Sequence, residues 1–324
     1  MSEKPLVVII DEEARSNLDI LNFRWFFQGR KQNDQRYLIE TPVGKKKEVQ
    51  GTLIENPDLK DHAQEYVYLE LTDVCNFNCR HCGVKDSLDF TRNLVDDSVT
   101  YLTENFLRAF TGAIKRRYQI DRQTSSGRGH RNVFFGGGEP LISPLNFRRV
   151  KDMFDSLKSI NPSEAHTNIY VATNGVMLPL DQQEFQDFMG SIGKPYLILS
   201  SSDAHVNQYA RLATDSEHGK YVPNWCDPKE ALFEKADLIQ EYCQNLGVGF
   251  VVNLVESRYG ELRKNIIKSA HEDLKIFSTT ADGNRIPCSQ GQELSVRANG
   301  NVYPHCYDIF NGHNKLGVMG LLIE

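Results

Sequence analysis

The stretch Cys75-Asn76-Phe77-Asn78-Cys79-Arg80-His81-Cys82 decides how this chain is read. It sets thiols at C-x3-C-x2-C directly after an apolar run, Tyr66 to Leu71, that reads as a strand. Cysteines this close together can converge on one metal centre, because so short a loop turns its side chains inward. Three thiolates are one short of the four that fill a cubane iron–sulfur cluster or a tetrahedral zinc site. A ligand set left one short suits a metal that something other than protein must reach. A Cys3His zinc site is the alternative, with Cys75, Cys79, Cys82 and His81 or a distant histidine as ligands.

A second stretch bears on the choice. Asn132-Val133-Phe134-Phe135-Gly136-Gly137-Gly138-Glu139-Pro140 reads as a strand ending in a glycine turn and a carboxylate. Glycines let the backbone approach a ligand closely, and a carboxylate there can accept from an ammonium group. Together the two stretches resemble the radical S-adenosylmethionine (SAM) enzymes. In that family the cysteine loop follows the first barrel strand and a GGE motif follows the second. His81 stands where the family prefers an aromatic ring.

The resemblance implies that Cys75, Cys79 and Cys82 hold a [4Fe-4S] cluster whose fourth iron SAM chelates. It implies that Gly137, Gly138 and Glu139 meet the amino end of SAM, and that Ser200 and Asp203 contact its ribose. It further implies reductive cleavage of SAM to a 5′-deoxyadenosyl radical, with electrons from a flavodoxin- or ferredoxin-type donor. That radical would take a hydrogen atom from an otherwise unreactive C–H bond.

Composition sets the outer bounds. The chain has 324 residues, a length compatible with one α/β barrel plus small additions. Its 37 basic and 43 acidic residues leave it mildly acidic, which argues for neither a nucleic-acid partner nor a membrane surface. No apolar run approaches membrane-spanning length, and the N-terminus lacks a charged-then-apolar signal pattern. Seven cysteines, three of them clustered, point to metal ligation in a reducing compartment, hence the cytoplasm.

Residues 1–62 read as an N-terminal accessory region, with a strand at Leu6–Ile10 and a hairpin pairing Tyr37–Thr41 with Val49–Ile54. The Lys45–Lys47 run between them is a solvated turn that could also attract an acidic peptide. From Tyr66 the chain alternates strands and helices, the pattern of parallel βαβ units, which with the resemblance predicts a partial (β/α)6 TIM-like barrel over 63–280. Its strands are expected at Tyr66–Leu71, Asn132–Phe135, Ile169–Thr173, Tyr196–Ser200 and Gly249–Val255. Leu102, Phe106, Phe110 and Ile114 form the buried stripe of a helix from about Asp97, followed by a basic loop from Lys115 to Arg131. Phe147, Val150, Phe154 and Leu157 mark a second helix. Asp181 and Glu184 have capping-box spacing before a third that buries Phe185, Phe188 and Ile192. A long connection from Ser201 leads to Asp227-Pro228-Lys229-Glu230, an N-cap and acidic first turn for a helix closing at Gly247, and a further helix is expected over 261–274.

Residues 281–324 read as a C-terminal β-hairpin extension, Leu294–Ala298 and Asn301–Tyr303 around Asn299-Gly300. With Cys288 before it and Cys306 after it, this segment resembles the start of the SPASM/twitch extension of radical SAM enzymes. That resemblance implies an auxiliary iron–sulfur cluster with Cys306 as ligand and tilts the substrate toward a ribosomally made peptide. Gly300 to Cys306 is one residue longer than the usual spacing, and no cysteine follows before Glu324. The auxiliary site is therefore incomplete, or the chain is truncated, or a residue such as His305 substitutes as ligand.

Other candidates each have a plainer role to set beside the functional one. Asn174 falls at a strand end, where the barrel family builds its site. Asn253 interrupts an apolar strand and needs either a SAM contact or a structural partner. His205 could touch substrate from the rim or be an ordinary turn histidine. Cys226 precedes a helix whose dipole could lower its pKa, or is a plain loop cysteine. Cys243 lies on an apolar helix stripe and reads as core. Cys288 could ligate an auxiliary cluster or return a hydrogen atom to a substrate radical. The expected function is radical SAM chemistry on a peptide (epimerisation, cross-linking or oxidation), with a sugar or nucleotide substrate as runner-up. A zinc-stabilised binding module is the non-enzyme alternative.

Overall fold

In a computed structural model, residues 4–11, 27–59, 66–72, 74–77, 102–123, 132–158, 169–215, 219–255, 277–279, 294–303 and 315–323 are described. Their strands are β1 (Leu6–Ile10), β2 (Phe27–Glu40), β3 (Lys46–Leu59), β4 (Tyr66–Thr72), β5 (Asn132–Gly137) and β6 (Ile169–Thr173). There follow β7 (Tyr196–Ser201), β8 (Phe250–Val255), β9 (Phe277–Thr279), β10 (Leu294–Val296), β11 (Asn301–Tyr303) and β12 (Gly317–Leu322). The helices are α1 (Glu104–Gln123), α2 (Pro144–Lys158), α3 (Gln182–Ile192), α4 (Asp203–Ala213) and α5 (Ala231–Leu246).

One mixed sheet holds all twelve strands in the order β1-β3-β2-β12-β11-β10-β4-β5-β6-β7-β8-β9. From β10 to β9 every pairing is parallel, and β4 to β9 lie side by side in chain order, as successive βαβ units require. The fold is therefore mixed α/β. Val67, Leu69, Val133, Phe135, Ile169, Val171 and Leu197 bury one face against Phe106, Phe110, Val150, Phe154, Phe185 and Ile239 of the helices. Alternation along a strand then turns the intervening residues to the other face.

The remaining strands make a smaller antiparallel unit. β1 pairs with β3 and β12, and β2 pairs with β3 and β12, so these four close a ring. Val7, Ile9, Tyr37, Ile39, Val49, Leu53 and Val318 fill it. Strands from the first 59 residues thus share one core with the strand at 317–322, and β12 continues through β11 and β10 to β4.

Local expectations meet the structure unevenly. The stripe Leu102, Phe106, Phe110 and Ile114 is buried as expected, but the segment from Lys115 to Gln123 continues α1 and is no loop. Lysine, arginine and glutamine propagate a helix well, and no glycine or proline interrupts before Gly127. Asp181 caps α3 by accepting from the Glu184 N–H at 2.9 Å, and Gly247 closes α5 in the left-handed conformation, both as expected. Asp227 does not cap α5: it accepts from Lys229 N–H in a turn, and the helix opens only at Ala231. The long connection after Ser201 contains α4, capped by Ser202. At the C-terminal hairpin, Ser295 opposes Tyr303 and Val296 opposes Val302, with Gly300 at φ 85° in the turn. The helix expected over 261–274 lies outside the described residues.

Candidate active site

The ends of three adjacent parallel strands meet here, with β4 leading into Cys75, β5 into Glu139 and β6 into Asn174. The glycines of β5 are dictated first by the neighbouring chain. A Cβ on Gly136 would stand 2.2 Å from the Tyr68 hydroxyl, and one on Gly138 would stand 1.9 Å from the Val74 carbonyl oxygen. Gly137, at φ 107°, donates its N–H to the Tyr68 hydroxyl at 2.6 Å. Gly138 and Glu139 then donate to the carbonyls of Thr72 and Val74 at 2.9 and 2.8 Å. What the glycines admit is the chain segment entering the cysteine loop.

Glu139 follows, only 1% exposed. Its Oε1 accepts from Thr173 Oγ1 at 2.6 Å and from Leu141 N at 3.0 Å, and its Oε2 accepts from Asn174 N at 2.7 Å. An ionised carboxylate offers about four acceptor positions, so one is left for a further donor. Burial pushes the carboxyl up to about 7, against the pull of its hydrogen bonds and of the Lys235 charge. A cation arriving beside it would restore the ionised form. Lys235 of α5 is itself fully buried, and its Nζ donates to the carbonyls of Val176 at 2.9 Å and Tyr221 at 2.6 Å. Burial brings its ammonium down to about 7, with Glu139 opposing.

Asn174 joins carboxylate to thiol. Its backbone N–H holds Glu139, while its side-chain amide donates to Asn76 Oδ1 at 2.6 Å and lies 3.7 Å from Cys75 Sγ. The Phe77 N–H donates to the same sulfur at 3.3 Å. Two N–H donors aimed at one sulfur suit a thiolate, the form that ligates iron or zinc. These residues fit a metal–thiolate group with a carboxylate close by. Tyr209 fixes the Asn174 loop from behind, donating to its carbonyl at 2.8 Å.

The other predicted residues are placed as follows. Cys75 is the member of the clustered trio among the described residues; Cys79, Cys82, Cys288 and Cys306 lie outside them, as do His81 and His305. Ser200 is half-buried near the end of β7, Asp203 is the first residue of α4, and Asn253 is on β8. His205 sits on α4 and not in a rim loop. It is buried, its Nδ1 lies 2.7 Å from Ser202 Oγ, and its ring is 5.7 Å from Phe77. Cys226 packs at the edge of the cluster that contains Phe77 and Tyr209. Burial, with Glu234, Glu230 and Asp227 adding to it, pushes its thiol up, so the lowering expected from a helix dipole is not found. Cys243 is core, as expected, with its thiol pushed up to about 12.

Sequence reasoning missed Asn76, Thr173, Lys235 and the pair Glu70–Arg297. Lys235 was detectable as a lone cation on the stripe Leu232, Ala236, Ile239. Glu70 was detectable as a charge inside an apolar strand. It accepts from Arg297 Nε at 3.2 Å and from Ala298 N at 2.8 Å, tying the β10–β11 turn to β4.

No protein-family model matches the chain. Among curated proteins it is similar to GTP 3′,8-cyclase of Lactiplantibacillus plantarum, with 29% identity over 124 residues, 37% of this chain and 30% of that protein. GTP 3′,8-cyclase of Clostridium perfringens is 32% identical over 114 residues, 35% of this chain and 28% of that protein. The chain thus spans under a third of the length of these relatives. Among solved structures, anSMEcpe with bound AdoMet has TM-score 0.43 and 16% identity over 78% of this chain and 74% of that one. The radical S-adenosylmethionine methyltransferase TsrM from Kitasatospora setae, with cobalamin and a [4Fe-4S] cluster bound, has TM-score 0.35 and 13% identity over 59% of this chain and 31% of that one. No helix among the described residues is long and apolar enough to cross a membrane.

Proposed function

We propose that this chain is a radical SAM enzyme that modifies a ribosomally made peptide by removing a hydrogen atom from it. The observation that carries the reading is the continuous link from Cys75 through Asn174 to Glu139. It sets a thiolate environment and a buried carboxylate with an open acceptor position on adjacent strand ends. The sequence relatives support the same superfamily. Cys75, Cys79 and Cys82 would hold a [4Fe-4S] cluster, and Glu139 would receive the SAM ammonium. When bound, cluster and cofactor supply reductive cleavage of SAM to a 5′-deoxyadenosyl radical. The protein's own part is to orient: Asn174 and the Phe77 N–H stabilise the sulfur, while Thr173, Leu141 and Asn174 fix the carboxylate. Ser200, Asp203 and Asn253 are proposed as the remaining SAM contacts.

We read the parallel array as a partial (β/α)6 barrel, and residues 281–324 as a SPASM/twitch-like segment in which Cys288 and Cys306 are candidate ligands of an auxiliary cluster. His205 and Cys226 recede as catalytic candidates, the first held by Ser202 and the second kept as a thiol. A flavodoxin- or ferredoxin-type donor and a cytoplasmic setting complete the proposal. The sequence relatives favour one second reading, a nucleoside triphosphate as substrate. The test is 5′-deoxyadenosine formation after anaerobic reconstitution and reduction with SAM. Wild type should produce it, and a Cys75→Ala/Cys79→Ala/Cys82→Ala variant should not. Production by that variant would refute the assignment.

A further inference from the structure

A buried amine holds the turn that follows β6. Lys235 is 0% exposed on α5, on the same buried side as Leu232, Ala236 and Ile239. A polar group there costs free energy unless its N–H groups find acceptors. Its Nζ donates to the carbonyls of Val176 and Tyr221, at 2.9 and 2.6 Å. An ammonium has three N–H donors and a neutral amine two, so both carbonyls are served in either form. Lys235 thereby ties the turn after β6 to the short helical turn Gly219–Tyr221 that precedes α5.

The turn held in this way sets the two side chains that reach the site. Gly175 donates its N–H to Thr173 Oγ1 at 3.0 Å, so the Thr173 hydroxyl gives its own hydrogen to Glu139 Oε1. Val176 donates its N–H to Asn174 Oδ1 at 3.0 Å, so the Asn174 amide turns its nitrogen toward Asn76 Oδ1 and Cys75 Sγ. Val176 is the link in this relay. Its N–H orients Asn174, and its carbonyl is where Lys235 takes hold. Tyr209 secures the same turn two residues earlier, at the Asn174 carbonyl.

We propose that Lys235 is a positioning residue for SAM binding, acting through Val176 and Asn174 on the Glu139 carboxylate and the Cys75 sulfur. This deepens the radical SAM reading of the preceding subsection and rests on it. Position and charge predict opposite results when the amine is removed. Glu139 and Lys235 act on each other's charge. By charge alone, loss of a cation near Glu139 would strengthen its hold on the SAM ammonium. Loss of position weakens that hold.

Two measurements on the full chain test the proposal. In the apoprotein, Lys235→Met fills the same space without a donor. It should speed hydrogen exchange across residues 173–178 and leave α2 as protected as in wild type. In the anaerobically reconstituted protein, equilibrium dialysis should show SAM bound several-fold more weakly by Lys235→Met, with iron content unchanged. In an Asn174→Ala background the same substitution should cost clearly less affinity, because part of its route is already gone. Asp181→Ala, which destabilises α3 outside the relay, should keep wild-type SAM affinity. If Lys235→Met fails to fold by circular dichroism, Lys235→Gln, a shorter donor, replaces it with a smaller loss expected. Unchanged exchange, unchanged or tighter SAM binding, a loss fully additive with Asn174→Ala, or an equal loss in Asp181→Ala would each overturn the proposal. A wild-type protein that binds no SAM, with exchange still faster in Lys235→Met, would uphold the hold on the turn while removing the radical SAM reading.

Discussion

Gly138→Ala is the substitution with the most legible consequence. The added Cβ would lie 1.9 Å from the Val74 carbonyl oxygen, 2.4 Å from its carbon and 2.9 Å from its nitrogen, all backbone atoms with no rotamer to yield. Relief requires the chain entering Cys75 to move by more than an ångström, which breaks Gly138 N–H to Thr72 O and Glu139 N–H to Val74 O. Overpacking of this kind costs about 1–3 kcal/mol. The two hydrogen bonds add about 1 kcal/mol each, for a total of about 3–5 kcal/mol. Urea unfolding of the apoprotein measures it, and iron bound after anaerobic reconstitution reports the cysteine loop. Gly190→Ala on α3 is the control: no heavy atom lies within 4 Å of its added Cβ, so it should stabilise the protein by about 0.5–1 kcal/mol. If Gly138→Ala loses under about 1 kcal/mol and binds iron like wild type, the close approach described here is wrong.

Arg297→Met removes donors from a carboxylate that is 1% exposed and should cost about 3 kcal/mol in urea unfolding. Lys4→Met, at a surface pair, should cost under about 1 kcal/mol. Asp181→Ala should lose about 1 kcal/mol by uncapping α3, seen as a lower urea midpoint. The pair Glu139 and Lys235 gives a pH signature. The folded state keeps the Glu139 proton between 4.5 and about 7 after the unfolded chain has released it, so stability falls with rising pH in that window. The folded state has lost the Lys235 proton between about 7 and 10.5 while the unfolded chain keeps it, so there stability rises with pH. Lys235→Met should abolish the rising limb, whose slope is at most about 1.4 kcal/mol per pH unit, in unfolding curves compared at about pH 7 and about pH 9. An unchanged limb would show that Lys235 does not titrate there.

Periodic and capping signals made much of the parallel half legible. The stripe through Phe106 and Phe110, the Asp181 cap and the Gly247 stop are local events, decided within one helical turn. α4 was missed because Ser202 and Asp203 also suit a turn, although Val206, Tyr209 and Leu212 carried a three-residue repeat. The strand β1 and the β2–β3 hairpin were legible locally, but the closure of their ring through β12 had no local signal, since it pairs Leu6 with Leu321 across nearly the whole chain. At the site, Cys75 and Glu139 were legible from motif spacing. The Asn174 amide beside Cys75 was not, because that contact spans 99 residues and depends on two strand ends meeting. The glycines were legible as a need for close approach. What approaches them, the Tyr68 ring and the Val74 carbonyl, is knowable only once β4 lies beside β5.

On the reading proposed above, the cysteine loop holds a cluster with one iron open to SAM. Electron paramagnetic resonance of the dithionite-reduced, anaerobically reconstituted protein tests it most directly. The expected result is the signal of a one-electron-reduced [4Fe-4S] cluster whose g values shift when SAM is added, with that SAM-responsive signal gone from the Cys75→Ala variant. A reduced cluster indifferent to SAM, or a SAM-responsive signal that survives Cys75→Ala, would contradict it.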